Sequence, residues 1–358
     1  MAAMRTFLLL GLASALALGC GDDGTSTPVD GGGGGMDSTI RVDSGGGVDG
    51  TVMRRDANVM PGDCFEVVFG PITVPSGQER TQCVVKLLGN TDPIHVNHIE
   101  NDLGTSSHHM ILYRVADTTE QPDPFDCSPF RETLNPASGS PLVISQTEHD
   151  TLDLRPGVGF ALDANQMVRM EMHYINTTPA EVTLETTSRV CPMPEADFMY
   201  AADFLFVGTP DIDIPPRASH TVGPRYFPIP AEYADAQFFA ITGHEHHWGT
   251  GVNVWTATSA SDPGTLVYDP EPFLWDEPET VYHDPPFRVP AGGGFKFECE
   301  WFNDSGSSVG FGESANDEMC FFWAYYFPGV GSKVCFQTDQ AGGTTGCCPG
   351  HFACGFLL

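Results

Sequence analysis

Phe238-Phe239-Ala240-Ile241-Thr242-Gly243-His244-Glu245-His246-His247-Trp248-Gly249-Thr250-Gly251-Val252-Asn253-Val254 is the stretch on which the fold turns. A helical His-Glu-x-x-His motif would need its second histidine at position 248, which is Trp248. The flanking Phe239, Ile241, Val252 and Val254 sit instead at a spacing of two, a β pattern. On a strand, residues i and i+2 share a face. His244 and His246 can therefore reach one metal ion, while His247 points the other way.

The rest of the chain reads the same way. Short β-branched and aromatic runs alternate with Pro, Gly, Asn and Asp punctuation: Phe65–Phe69, Met110–Val115, Met167–Ile175, Val182–Thr187, Phe204–Val207, Gly294–Phe302 and Phe321–Phe327. No long window has a helical apolar period. This is the signature of an all-β chain of sandwiches rather than of βαβ units. A break near Pro192–Glu195 separates two halves of similar size, without a close internal repeat.

Two histidine groups stand out. Two imidazoles at 244 and 246, with the thioether of Met319 in Asp317-Glu318-Met319-Cys320, make a donor set suited to copper cycling through Cu(I). A zinc hydrolase built on His244 and His246 fits less well, because zinc prefers His, Cys and carboxylate to a thioether. The earlier half holds His108-His109 and His173. Adjacent residues on a regular strand face opposite sides, so His108 and His109 can share a metal only where the strand is twisted or bulged.

The bulk numbers narrow the partners. The 358-residue chain has a formal net charge of -31, and its only lysines are Lys86, Lys296 and Lys333. Such a chain repels nucleic acid. Eleven cysteines together with an export signal imply disulfides made in an oxidising compartment. Arg5 supplies a basic start, and Phe7 to Leu18 an apolar core too short for a stable span. Ala17-Leu18-Gly19-Cys20 resembles a bacterial lipoprotein cleavage box. Residues 1–20 are thus expected to be a lipoprotein signal with Cys20 lipidated. Residues 21–60, rich in Gly and Asp, read as a disordered tether. Domains are expected at 61–195 and 196–330, with a Cys-rich tail at 331–358. The expected location is exported: an outer-membrane or periplasm-facing lipoprotein, or a secreted protein, touching membrane only through a lipid at Cys20. Gly21 after that cysteine favours the outer membrane.

Four motifs, in order, carry a resemblance: Ser107-His108-His109-Met110, Met172-His173-Tyr174, His244-Glu245-His246-His247-Trp248-Gly249 and Glu318-Met319-Cys320. They resemble the copper type II, ascorbate-dependent monooxygenases, the family of peptidylglycine α-hydroxylating monooxygenase and dopamine β-hydroxylase. The resemblance spans about residues 62 to 328. It implies two tandem jelly-roll-type β-sandwich domains, with a copper site in each, facing across a solvent-filled cleft. It implies two copper ions per chain: an electron-transfer copper on His108, His109 and His173, and a dioxygen-binding copper on His244, His246 and Met319. His247 matches a family histidine not usually counted as a ligand. The implied activity is hydroxylation of a C–H bond of a small organic substrate, using O2 and an external reductant such as ascorbate. The alternative is a non-catalytic copper-binding or copper-buffering lipoprotein on the same scaffold.

The resemblance also suggests disulfides Cys64–Cys191, Cys83–Cys127 and Cys299–Cys320. The last closes a loop of about 20 residues, a constraint of roughly 3 kcal/mol in the chain-entropy model. Cys335, Cys347, Cys348 and Cys354 read as local staples of the tail. The chain departs from the peptide-hydroxylating members at the arginine that grips a substrate carboxylate, where Thr242 stands. Phe321 and Trp323 replace an Asn and a Tyr that help to hold the peptide. A carboxylate without a cation is costly to bury, so a glycine-extended peptide is not the expected substrate.

Overall fold

The structure is a computed structural model that describes residues 64–128, 130, 139–312, 314, 316–339, 343–349 and 351. The signal, Cys20 and the tether expected at 21–60 lie outside them. The described residues carry strands and two short 3-10 turns, and no α-helix.

The first half contributes β1 (Phe65–Val74), β2 (Glu79–Leu87), β3 (Ile94–Asp102), β4 (Ser107–Val115), β5 (Gln121–Asp126), β6 (Gly139–Ser145), β7 (His149–Asp153), β8 (Val158–Leu162), β9 (Met167–Ile175) and β10 (Val182–Pro192). The second contributes β11 (Tyr200–Ala201), β12 (Asp203–Gly208), β13 (Asp213–Ile214), β14 (Ala218–Pro228), β15 (Gln237–His244), β16 (Gly249–Ala257), β17 (Thr265–Tyr268), β18 (Thr280–Phe287), β19 (Gly294–Asn303), β20 (Val309–Gly310), β21 (Phe321–Phe327), β22 (Lys333–Thr338) and β23 (Thr344–Cys348).

Each half is a pair of sheets. In the first, β1-β10-β3-β8-β11, with β7 beside β3, is one sheet, and β5-β2-β9-β4-β6 is the other. In the second, the sheets are β18-β15-β21-β12-β22-β23 and β14-β19-β16-β17, with β13 and β20 as a small ribbon. This is the expected all-β sandwich class. One boundary differs from expectation. β22 lies beyond residue 330, yet it pairs in parallel with β12, Leu205 opposite Lys333. It therefore completes the second sandwich rather than forming a separate tail.

The aromatic run of β21 explains how the halves join. Phe321, Trp323, Tyr325 and Phe327 enter the apolar core of the first half, whereas Phe322, Ala324 and Tyr326 enter the core of the second sandwich. β12 divides likewise, with Phe204 and Phe206 on one side and Leu205 and Val207 on the other. A strand buried on both faces reads as an unbroken apolar run, which is what β21 is. Polar contacts add to this joint. The Arg114 guanidinium meets Asp203 at 2.6 Å, and Ser140 Oγ lies 2.5 Å from Ser332 Oγ.

Candidate metal centre

His109 lies on β4, directly opposite His173 on β9. The β4–β9 register slips between Ser107 and His109, the irregularity that neighbouring histidines need to converge. Ser106, just ahead, has φ 69°, and the Ser107 hydroxyl donates to the Leu103 carbonyl at 2.5 Å. The three rings come together: centroids are 5.3 Å apart for His108–His109 and 5.0 Å for each of them to His173. One nitrogen from each of the three lies within 4.8 Å of the others. The Nδ1 atoms of His108 and His109 are 3.0 Å apart, close to the spacing of two ligands that each sit about 2.0–2.1 Å from one ion. Glu79 on β2 holds His173 Nε2 at 2.9 Å.

His244 closes β15, paired with Phe321 of β21. His246 is not on the strand as its spacing predicts. It follows the end of β15 and opens a turn in which the Gly249 N–H donates to the His246 carbonyl at 2.9 Å. The two rings still meet, with centroids 5.1 Å apart. His247 is exposed and edges onto Trp248 and Trp275. Gly249 is required here, because a Cβ would lie 2.5 Å from the Glu245 side chain.

Glu318 ties the turn to Met319. Its buried carboxylate accepts from the His246 N–H (2.8 Å), the Trp248 N–H (2.7 Å), Trp301 Nε1 (3.0 Å) and the Met319 N–H (3.3 Å). Burial pushes this carboxyl up to about 7 against the pull of those donors. The Asp317 carbonyl lies 3.1 Å from His246 Nδ1 and so fixes its ring. Met319 is 4% exposed and sits against the first-half core beside Phe321 and Trp323. Glu245, also buried, accepts from the N–H groups of Gly251 and Glu300. Neither glutamate's role, nor that of Glu79, is visible in the sequence, where each is one acid among 47 acidic residues.

The two histidine groups do not face one another across a solvent-filled cleft. His108 and His246 are 6.4 Å apart by ring centroid, and His109 and His244 are 6.5 Å apart. His109, His244 and His246 are each 1% exposed. The end of β15 that carries His244 is drawn against the first half by the aromatic core that β21 shares with it. Phe130 packs on both groups, 5.2 Å from His109 and 6.0 Å from His244, and Trp275 lies 5.7 Å from His108.

Burial, reinforced by neighbouring imidazoles, lowers His108 to about 3 and holds His109 and His244 well below the ordinary histidine range. His246 is lowered to about 4, chiefly by burial. His173 is also lowered by burial, with Glu79 pulling the other way. All five are neutral at pH 7 and keep ligand lone pairs. Nε2 of His108, Nε2 of His109 and both nitrogens of His244 are buried without a hydrogen-bond partner. An orphaned buried polar atom costs about 1–3 kcal/mol. Each ring can give one nitrogen to a bound metal, and the imidazole and thioether donors suit copper.

Disulfides join Cys64–Cys191, Cys83–Cys127, Cys299–Cys320 and Cys335–Cys347. Cys354 lies outside the described residues. Such bonds belong to an oxidising compartment and point to an exported protein. No described helix is long and apolar enough to cross a membrane.

Residues 200–344 match the model of the copper type II ascorbate-dependent monooxygenase C-terminal domain. This span runs from β11 to the start of β23 and contains His244, His246 and Met319. The match supports that copper-dependent family and an oxidoreductase character. No curated protein matches the chain in sequence. Among solved structures, the major capsid protein P2 from bacteriophage PM2 is similar at 9% identity and a TM-score of 0.31, covering 73% of this chain and 97% of that one. A putative secreted protein from Parabacteroides distasonis is similar at 7% identity and a TM-score of 0.18, covering 75% of this chain and 91% of that one. At these scores the likenesses carry no argument about fold or activity.

Proposed function

We propose that this chain is a copper-dependent monooxygenase that hydroxylates a C–H bond of a small organic substrate with O2 and an ascorbate-type reductant. The observation that carries the reading is the set of buried imidazole nitrogens with no hydrogen-bond partner, converging from both halves. The family match over 200–344 supports it independently. In this reading residues 61–195 hold one copper on His108, His109 and His173. Residues 196–330 hold a second on His244, His246 and Met319. Bound copper would supply electron delivery at the first group and dioxygen binding at the second.

The protein's own residues do the rest. The five imidazoles stay neutral, so proton competition for their lone pairs is weak. Glu79 orients His173, and Glu318 fixes the backbone on either side of His246 and at Met319, the kind of outer support that tunes ligands. Phe130 and Trp323 wall His244 with apolar surface, which excludes water. Thr242 is buried, with its hydroxyl 2.8 Å from that of Thr280, and offers no cation to a carboxylate. This favours an uncharged substrate. Export by the signal at 1–20, with an anchor at Cys20 and a tether over 21–60, belongs to the same proposal.

The test is oxygen consumption by copper-loaded protein with ascorbate, against a panel of small aromatic and aliphatic compounds. Uptake that needs copper and yields a hydroxylated product labelled from 18O2 is the expected result. Tight copper binding with no such product would make the chain a copper-buffering protein instead.

A further inference from the structure

We propose that Trp323, Tyr325 and Tyr282 form an electron relay between the second metal group and the surface. It drains an oxidising equivalent when oxygen is activated with no substrate to consume it. The inference rests on the copper reading above and concerns what the second sandwich places behind His244.

The path is laid out within one sheet. On β21, Trp323 and Tyr325 are two residues apart, so they share a face. Both enter the first-half core. Trp323 lies opposite Thr242 on β15, and Tyr325 opposite Ala240. Ala240 is also the partner of Tyr282, on β18 at the other side of β15. Cross-strand partners share a face, so all three rings stand on the same side of the sheet. With β15 between them, β18 and β21 run about 10 Å apart. The small Ala240 side chain leaves the space above it to the two tyrosines. At the inner end, the Trp323 ring lies 6.1 Å from that of His244. Its indole hydrogen-bonds the Tyr325 hydroxyl, and Tyr282 is close enough to Tyr325 to act on it electrostatically. At the outer end, Tyr282 is 46% exposed, whereas Trp323 and Tyr325 are each 2% exposed.

The surrounding rings single out this path. Among the described residues, the non-histidine rings against His244 are Phe130 and Trp323. Trp323 is otherwise flanked by Phe204 and Phe206, and Tyr325 by Phe160, Phe204 and Phe239. A phenyl ring is far harder to oxidise than an indole or a phenol, so these neighbours insulate the relay. In the proposed step the oxidised copper centre gains one electron from Trp323. Trp323 is refilled from Tyr325, and Tyr325 from Tyr282. The Tyr282 O–H bond breaks: its electron goes inward, and its proton passes to water by way of the nearby Asp150 and Asp153 carboxylates. The ascorbate-type reductant then returns one electron and one proton and restores the phenol. Without this outlet the equivalent is spent on the ligands themselves, the His244 ring and the Met319 thioether, which goes to the sulfoxide.

The experiment counts copper per chain by elemental analysis, treats the substrate-free, Cu(I)-loaded protein with hydrogen peroxide and records freeze-quench EPR spectra. Peptide mapping by mass spectrometry then locates oxidised side chains. The expected result is a tyrosyl radical signal that ascorbate quenches, with little oxidation at His244 or Met319. Trp323→Phe keeps a ring in the core but breaks the chain, so the tyrosyl signal is lost and oxidation at His244 and Met319 rises. Tyr282→Phe, at an exposed position, leaves copper content and substrate turnover unchanged. Its radical stays on buried Tyr325 and escapes quenching by ascorbate. Tyr268→Phe, in the core of the second sandwich, behaves as the unmodified protein does. No tyrosyl radical at full copper loading, or a signal indifferent to Trp323→Phe, would overturn the relay and leave the monooxygenase reading standing. So would a signal that survives in His244→Ala/His246→Ala. No copper binding at all would remove the copper reading and the relay with it.

Discussion

Replacing Met319 separates a ligand from a filler of the core. The side chain is 4% exposed and packs beside Phe321 and Trp323. Truncation to alanine opens a cavity and should cost about 2–5 kcal/mol of folding stability. Isoleucine nearly conserves the volume, so Met319→Ile should cost less than about 1.5 kcal/mol. If Met319 only fills space, the isoleucine variant is close to normal in every respect. If its sulfur binds copper, the isoleucine variant keeps its fold but loses a soft donor that favours Cu(I). A tenfold loss of affinity is about 1.4 kcal/mol, and the loss of a whole ligand should exceed it. Urea unfolding of the metal-free variants gives the first quantity. Competition with a Cu(I) chelator gives the second, with the His108/His109/His173 group as an internal control. Wild-type Cu(I) affinity in Met319→Ile would refute the assignment of the sulfur, whatever the stability result.

Three further outcomes follow from the packing. Glu318→Gln exchanges one acceptor oxygen for a donor among four N–H groups. It should destabilise by about 1–3 kcal/mol and weaken copper at His244/His246 roughly 10–100-fold, with the first group unchanged in a copper titration. Removing Cys299–Cys320, whose partners are 21 residues apart, should cost about 3 kcal/mol in denaturant unfolding. Arg114→Ala leaves the Asp203 carboxylate buried without its cation at the joint of the two halves. It should cost about 3 kcal/mol, read as a lower unfolding midpoint with an unchanged slope.

The β class was legible because turn residues punctuate short runs throughout, and because Trp248 stands where a helical metal motif needs histidine. The histidine positions could be singled out from order and spacing. Their arrangement could not. A spacing of two at 244 and 246 predicts a strand face, but β15 ends at His244 and Glu318, 72 residues on, holds the His246 N–H. The run Phe321–Phe327 was legible as a strand, yet not as one shared between two cores. That sharing draws the second sandwich onto the first and replaces the expected cleft by rings 6.4–6.5 Å apart. Long-range contacts of this kind depend on which faces meet, and local patterning does not encode it. Glu79 and Glu318 were missed for the same reason. In an acidic chain, a carboxylate that supports a ligand has no local mark.

The claim that two histidine groups hold copper is tested most directly by copper counts on three proteins. These are the unmodified chain, His108→Ala/His109→Ala and His244→Ala/His246→Ala, each confirmed as folded by circular dichroism. About two coppers are expected in the first and about one in each variant. Equal copper in all three, or none in the unmodified chain, would contradict it.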